Sequence, residues 1–355
     1  MKSWLFSLLI ISGLAFSFSS CETDFDTTTE YKDITVVYGI LDQKSDTQFI
    51  KINKAYLSET DVLTYAANPD SNQYINDLEV KIEEFSDQGN LLDSHILEKT
   101  TVTNKEAGQF YYPDQIVYFW KPDSPIDVDY IYLGDNLVDS ALIWFDEEHT
   151  YKLSITNPAS GKVIASETNL VKEFRITYPS VQRTIKFLKN DNSSKTFSWN
   201  DADNAGKYEF ELRFNFRELL TTGEERSRYI VLSKASVDAS NNTSEYEVYY
   251  KDLNFYSTCE NLIPYDDQAA EDQVSQRFTG LVEVLVRAAE ENLSLYMEVN
   301  EPSTSIIQEK PQFSNVDNGI GIFSSRYYEK RLIELDDPTK NELINNEDPN
   351  YKFVY

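Results

Sequence analysis

The segment Lys207-Tyr208-Glu209-Phe210-Glu211-Leu212-Arg213-Phe214-Asn215-Phe216 puts an aromatic or aliphatic side chain at every second position. Side chains of an extended strand leave alternately from its two faces, so as a strand this run has one dry face and one wet face. On a helix the same apolar groups would spread around the axis. The alternation returns in Leu78-Glu79-Val80-Lys81-Ile82-Glu83-Glu84-Phe85 and, in shorter form, at residues 34–41, 49–52 and 151–156. Turn chemistry punctuates these runs, as in Ser86-Asp87-Gln88-Gly89-Asn90 and Asn157-Pro158-Ala159-Ser160-Gly161. Short amphipathic strands bury their dry faces by stacking sheets. We therefore expect a mainly β protein of two β-sandwich-like lobes, at 33–172 and 173–330, with a tail at 331–355. Within the second lobe, 229–232 and 246–250 are expected to form a hairpin, and so are 281–288 and 293–299 across Glu290-Glu291-Asn292. Residues 252–277 are expected to be a helical or irregular insertion.

The N-terminus constrains location. Residues 1–20 read MKSWLFSLLIISGLAFSFSS, a single Lys2 ahead of an apolar stretch. The stretch is shorter than the roughly 20 apolar residues that a membrane span requires, and it fits a secretory signal peptide. It ends in Phe18-Ser19-Ser20-Cys21, which resembles the lipobox of bacterial lipoproteins, with Phe18 where Leu is usual. That resemblance implies cleavage before Cys21 and acylation of Cys21. At about 0.8 kcal/mol per buried CH₂, two or three chains anchor a protein stably where one binds reversibly. Residues 21–32 then form an acidic tether, beginning Cys21-Glu22-Thr23-Asp24-Phe25-Asp26. It resembles the surface-export signal of Bacteroidota lipoproteins, so the expected location is the outer membrane, facing outward.

Charge and soft-ligand counts exclude several classes. The chain carries 32 Lys+Arg against 60 Asp+Glu, a formal net charge of −28, which is the wrong sign for a phosphate backbone, so no nucleic-acid partner is expected. Two His and two Cys leave too few ligands for a conventional zinc or iron–sulfur site, and no cofactor is expected. With Cys21 lipidated, Cys259 has no partner for a disulfide and reads as a small buried hydrophobe.

Candidate chemistry is sparse. Trp144-Phe145-Asp146-Glu147-Glu148-His149 sets carboxylates beside an imidazole, but adjacent residues on extended backbone diverge, so a solvated loop is expected. His95 has no ligand-spaced partner. Asp201, Asp203 and Asn204, and separately Asp266, Asp267, Glu271 and Asp272, supply dense oxygen ligands without the spacing of a calcium loop. Aromatic residues cluster at Tyr111-Tyr112, Tyr118-Phe119-Trp120 and Tyr130-Ile131-Tyr132. Flat rings serve both packing and recognition of sugars or peptides. Trp120, Tyr118 and Tyr112 are the candidate platform for a glycan or peptide ligand.

Two resemblances add to this reading. The tryptophan strand Thr196-Phe197-Ser198-Trp199, the polar loop at 201–206 and the Tyr208-led strand resemble part of a fibronectin type III module, so the lobes are expected to be immunoglobulin- or fibronectin III-like. The segment Ser314-Asn315-Val316-Asp317-Asn318-Gly319-Ile320-Gly321-Ile322-Phe323 resembles the C-terminal signature of a domain-of-unknown-function family of Bacteroidota outer-membrane lipoproteins. Val36-Val37-Tyr38-Gly39-Ile40-Leu41 and Leu295-Tyr296-Met297 fit the same resemblance. It implies partnership with a TonB-dependent outer-membrane transporter and carries over no catalytic residue. Gly319 and Gly321 suit a tight turn or bulge, and the pattern lacks the third glycine and the lysine of a phosphate loop, so Ser314, Asn315, Asn318, Gly319, Gly321 and Phe323 are read as structural. The expected function is a non-enzymatic accessory or ligand-capture lipoprotein. The alternatives are a hydrolase with an acidic active site and a structural or adhesive surface protein.

Overall fold

The computed structural model describes residues 34–55, 72–74, 76–103, 114–180, 184–189, 191–239, 243–263, 273–301, 312–346 and 351–354. The signal segment, Cys21 and the acidic tether lie outside the described residues. Strand makes up 59% and helix 11%, so the fold is mainly β and β-sandwich-like.

One long sheet forms the spine. Its first strands are β1 (Thr35–Asp42), β2 (Gln48–Lys54), β5 (Glu98–Val102) and β6 (Gln115–Trp120). Those from later in the chain are β13 (Ala205–Leu220), β14 (Glu225–Asp238), β16 (Val274–Glu290) and β17 (Gly319–Glu334). They lie in the order β14-β13-β16-β17-β1-β2-β6-β5, with β18 (Phe353–Val354) added beside β16. The two ends of the chain meet in the middle, where β1 runs parallel to β17 with Thr35 opposite Gly319 and Asp42 opposite Arg326.

Each half of this sheet is covered by a second layer. Over the β1-β2-β6 end lies a four-stranded sheet of β3 (Glu79–Phe85), β4 (Leu91–Ile96), β9 (Thr150–Asn157) and β10 (Lys162–Asn169), ordered β10-β9-β3-β4. Val80, Ile82, Leu153 and Ile155 meet Val37, Ile50 and Ile52 in one core. Over the β13-β16 end lies a sheet of β11 (Ile176–Tyr178), β12 (Ser194–Asn200) and β15 (Glu245–Lys251), with helices α1 (Asp252–Leu262) and α3 (Asp337–Ile344). The alternating residues Tyr208, Phe210, Leu212, Phe214 and Phe216 enter this second core, facing Phe197 and Trp199 of the opposite layer. The wet face of β13 carries ions instead: Glu211 takes Arg213 at 2.6 Å, Arg287 at 3.3 Å and Lys234 at 3.5 Å.

The first core ends at Leu170 and the second begins at Val171, close to the expected division, yet Val316 and Phe323 return to the first core. Four local expectations are corrected. Residues 293–299 are helix, within α2 (Glu291–Asn300), because the Glu290 carboxylate accepts from the Asn292 N–H and caps a helix where a turn was expected. β14 pairs with β13 and β15 with β12, so 229–232 and 246–250 lie in different layers. The segment 331–355 is no tail: Leu335, Leu343, Tyr351 and Phe353 are core residues, and Phe353 pairs with Arg277. The insertion expected at 252–277 is helical from 252 to 262, but Val274–Arg277 already belong to β16.

Candidate functional site

The Ser314–Phe323 signature joins the two layers of the first lobe. Ser314 Oγ accepts from the Val316 N–H at 3.2 Å. The Asn315 amide donates to the Phe323 carbonyl at 2.6 Å and accepts from the Phe323 N–H at 3.0 Å, copying a strand partner at the edge of β17. Its carbonyl accepts from Ser166 Oγ at 2.7 Å, and Asp317 exchanges backbone bonds with Ala165 at 2.8 and 3.3 Å. Asn318 takes φ +58 and donates to the Val163 carbonyl at 3.1 Å. Gly321 has φ +117, and a Cβ there would sit 1.9 Å from the Val37 carbonyl oxygen. Phe323 is fully buried in the first core. These contacts fasten β10 to β17 and let β17 lie against β1.

The same residues edge a cleft of about 810 Å³ between α2 and the outer face of β1 and β17. It is lined by Val36, Tyr38, Tyr296, Val299, Ile320 and Phe313, together with Asn300, Gln312, Ser314 and Gly321. The Tyr38 and Tyr296 rings meet edge to face, 6.4 Å apart at 75°. Burial, and then a hydrogen bond with Tyr38, push the Tyr296 phenol up to about 12. Asn300 donates to the Tyr296 carbonyl at 2.8 Å, which fixes the last turn of α2.

The expected aromatic platform does not form. Tyr118 is 2% exposed and its hydroxyl accepts from the Leu78 N–H at 3.1 Å, so its ring belongs to the core. Trp120 is half-buried, stacked on His95 at 4.5 Å and edge-on to Phe145 at 5.3 Å. Tyr112 lies outside the described residues. Alternation along β6 explains the loss, since Tyr118 and Trp120 share the inward side.

Exposed apolar surface is found instead on a two-stranded hairpin of β7 (Asp127–Leu133) and β8 (Asn136–Ile143). Tyr130 is 52% exposed, Tyr132 42% and Leu137 54%, with Leu142 also exposed and opposite Val128. Residues on the other face hold the hairpin to the body. Ile131 is buried, Asp129 receives Lys44 at 2.7 Å and Asp139 receives Lys330 at 2.5 Å. The sequence Tyr130-Ile131-Tyr132 carries this split: its middle residue faces in and its outer two face out.

Titratable groups gather in two further places. Lys44 Nζ is buried, lies over the Tyr327 and Tyr328 rings, and reaches Glu329 at 3.5 Å as well as Asp129. Burial raises Glu329 to about 7 against the pull of Lys44. His149 Nδ1 lies 2.6 Å from Glu84, and Nε2 lies 3.8 Å from Asp146. A solvated extended loop was expected here. A turn closed by His149 N–H to the Asp146 carbonyl brings the groups together instead. Asp201 accepts from the Tyr208 hydroxyl at 2.8 Å, a structural use of that acidic loop, and Asp266, Asp267, Glu271 and Asp272 lie outside the described residues. Cys259 is buried and its thiol is pushed up by burial, away from reactivity.

No family model matches the chain, and no curated protein matches it. Among solved structures, trypsin-activated alpha-2-macroglobulin from Escherichia coli aligns over 86% of this chain and 16% of that one, at 11% identity and a TM-score of 0.18. A likeness that weak carries no argument about fold or function.

Proposed function

We propose that this chain is a surface-exposed outer-membrane lipoprotein, anchored through Cys21, that serves without catalysis as an accessory or ligand-capture partner of a TonB-dependent transporter. The observation that supports this reading best is the outward face of the β7–β8 hairpin. Tyr130, Tyr132, Leu137 and Leu142 leave apolar surface in water on a body of net charge −28. Contiguous apolar surface on an otherwise charged protein suits burial against a protein partner. The lipobox-like Phe18–Cys21 and the signature at 314–323 supply the anchor and the transporter partnership by resemblance.

A hydrolase is the weaker reading. Glu329, whose carboxyl burial raises, is engaged by Lys44, and none of the described residues lining the α2 cleft is acidic. The test is affinity purification of the tagged native protein from detergent-solubilised outer membranes, followed by mass spectrometry. A transporter recovered in stoichiometric amount, and lost in a Tyr130→Glu/Tyr132→Glu variant of unchanged melting temperature, supports the reading. Recovery of the protein alone in mild detergent removes it. Cys21→Ala separately tests the anchor, because an unlipidated chain should leave the membrane fraction.

A further inference from the structure

We propose that the cleft between α2 and the β1–β17 face is a binding site for a neutral saccharide. The inference stands whether or not a transporter is the partner, since it uses none of the hairpin residues. At about 810 Å³ the cleft falls within the roughly 300–1,000 Å³ that ligand sites occupy.

Its chemistry is what narrows the ligand. Charged residues make up 26% of the chain, yet none of the described residues lining this cleft carries a charge. A free peptide brings a terminal ammonium and a terminal carboxylate, each of which needs a countercharge or a nest of backbone donors. An acidic ligand is further opposed by the −28 body. An uncharged ring compound avoids both costs. The walls supply the two kinds of contact that a pyranose presents. Tyr38 is 41% exposed and stands edge to face with Tyr296, so its ring offers a flat apolar surface to the C–H face of a sugar. Around the rings, the amides of Asn300 and Gln312 and the hydroxyl of Ser314 offer donors and acceptors to sugar hydroxyls. Asn315 and Gly321 hold that wall in place through bonds to Phe323 and close packing on Val37, so the site is preformed.

The test is a glycan array of neutral and acidic oligosaccharides probed with the full chain, then calorimetry on the best neutral hit and on a set of uncharged-side-chain tripeptides. A neutral oligosaccharide should bind. Tyr38→Ala should weaken it at least tenfold with melting temperature unchanged, while Tyr38→Phe should keep most of the affinity. The Tyr130→Glu/Tyr132→Glu hairpin variant should bind the sugar as the parent does, which separates failure here from failure of the transporter partnership. Absence of any neutral hit, binding confined to peptides or acidic glycans, or full affinity in Tyr38→Ala would each overturn the proposal.

Discussion

Asn315 grips Phe323 by both of its backbone groups: the side-chain amide donates to the carbonyl at 2.6 Å and accepts from the N–H at 3.0 Å. One side chain thereby substitutes for a neighbouring strand on the edge of β17 away from β1, at a residue paired with Gly39 and ahead of Arg326, where the ladder with β16 begins. Asn315→Ala leaves both groups of Phe323 without those bonds. Each buried orphan costs about 1–3 kcal/mol, so the expected loss is about 2–4 kcal/mol in urea unfolding. Asn315→Asp should fall between parent and alanine variant, because it keeps the acceptor and loses the donor. An alanine variant within experimental error of the parent would show that the grip is dispensable.

Gly321 makes a sharper demand. With φ +117 and a Cβ position 1.9 Å from the Val37 carbonyl oxygen, any side chain meets rigid backbone of the neighbouring parallel strand. Gly319 is less confined, with its nearest backbone atom, the Thr35 carbonyl oxygen, at 2.9 Å. Gly321→Ala should therefore fail to give soluble folded protein or lose upward of about 3 kcal/mol, and Gly319→Ala should lose less. Circular dichroism melts of the two variants side by side check the order, and equal losses would refute it.

These two residues also mark how far the sequence is legible. The pairing of Gly319 and Gly321 announces a backbone constraint, but not that β1 supplies it from nearly 300 positions away. Period-two alternation locates β3 and β13 well, because each has one wet and one dry face. It misreads 293–299, where Leu293 and Leu295 alternate by chance and the capping carboxylate of Glu290 decides for helix. It also misassigns the partners of β14 and β15, since alternation says which face is buried and nothing about which strand lies beside it. The candidate site suffers most. Tyr118 and Trp120 look like a platform as letters and prove to be packing, while the Tyr38–Tyr296 cleft needs two segments about 260 residues apart to be brought together.

Glu329 should give the fold a measurable pH dependence. Its carboxyl is raised from an ordinary 4.5 to about 7, by burial first, with Asp129 adding to the rise and Lys44 opposing it. Between those values the folded chain holds a proton that the unfolded chain has released. Stability therefore falls as pH rises from about 4.5 through 7 and levels off above. The displacement corresponds to something on the order of 3 kcal/mol. Glu329→Gln removes the titration, so its unfolding free energy should be flatter than the parent's across that window. An unchanged slope in the variant would assign the dependence elsewhere.

Glu218 carries the opposite sign. It and Arg277 are both fully buried, 2.9 Å apart, with Arg226 joining at 2.7 Å and Arg277 reaching on to the Tyr351 carbonyl at 3.1 Å. Burial alone would raise this carboxyl, but hydrogen bonds from Arg226 and Arg277 outweigh it and hold the group below its ordinary value. Its stabilisation is thus present above the unfolded value of about 4.5 and lost as pH falls through the lower folded one. Glu218→Ala strands the Arg277 guanidinium in the second core, and removing one partner of a buried pair costs about 3–5 kcal/mol. Arg226→Ala, at a partly exposed partner, should cost under about 1 kcal/mol. Because Arg277 also ties down the segment that bears Tyr351 and Phe353, Glu218→Ala should raise hydrogen exchange at residues 351–354 before it does so in β1 or β9. Uniform loss of protection across both lobes would instead mean that the shared sheet unfolds as one cooperative unit.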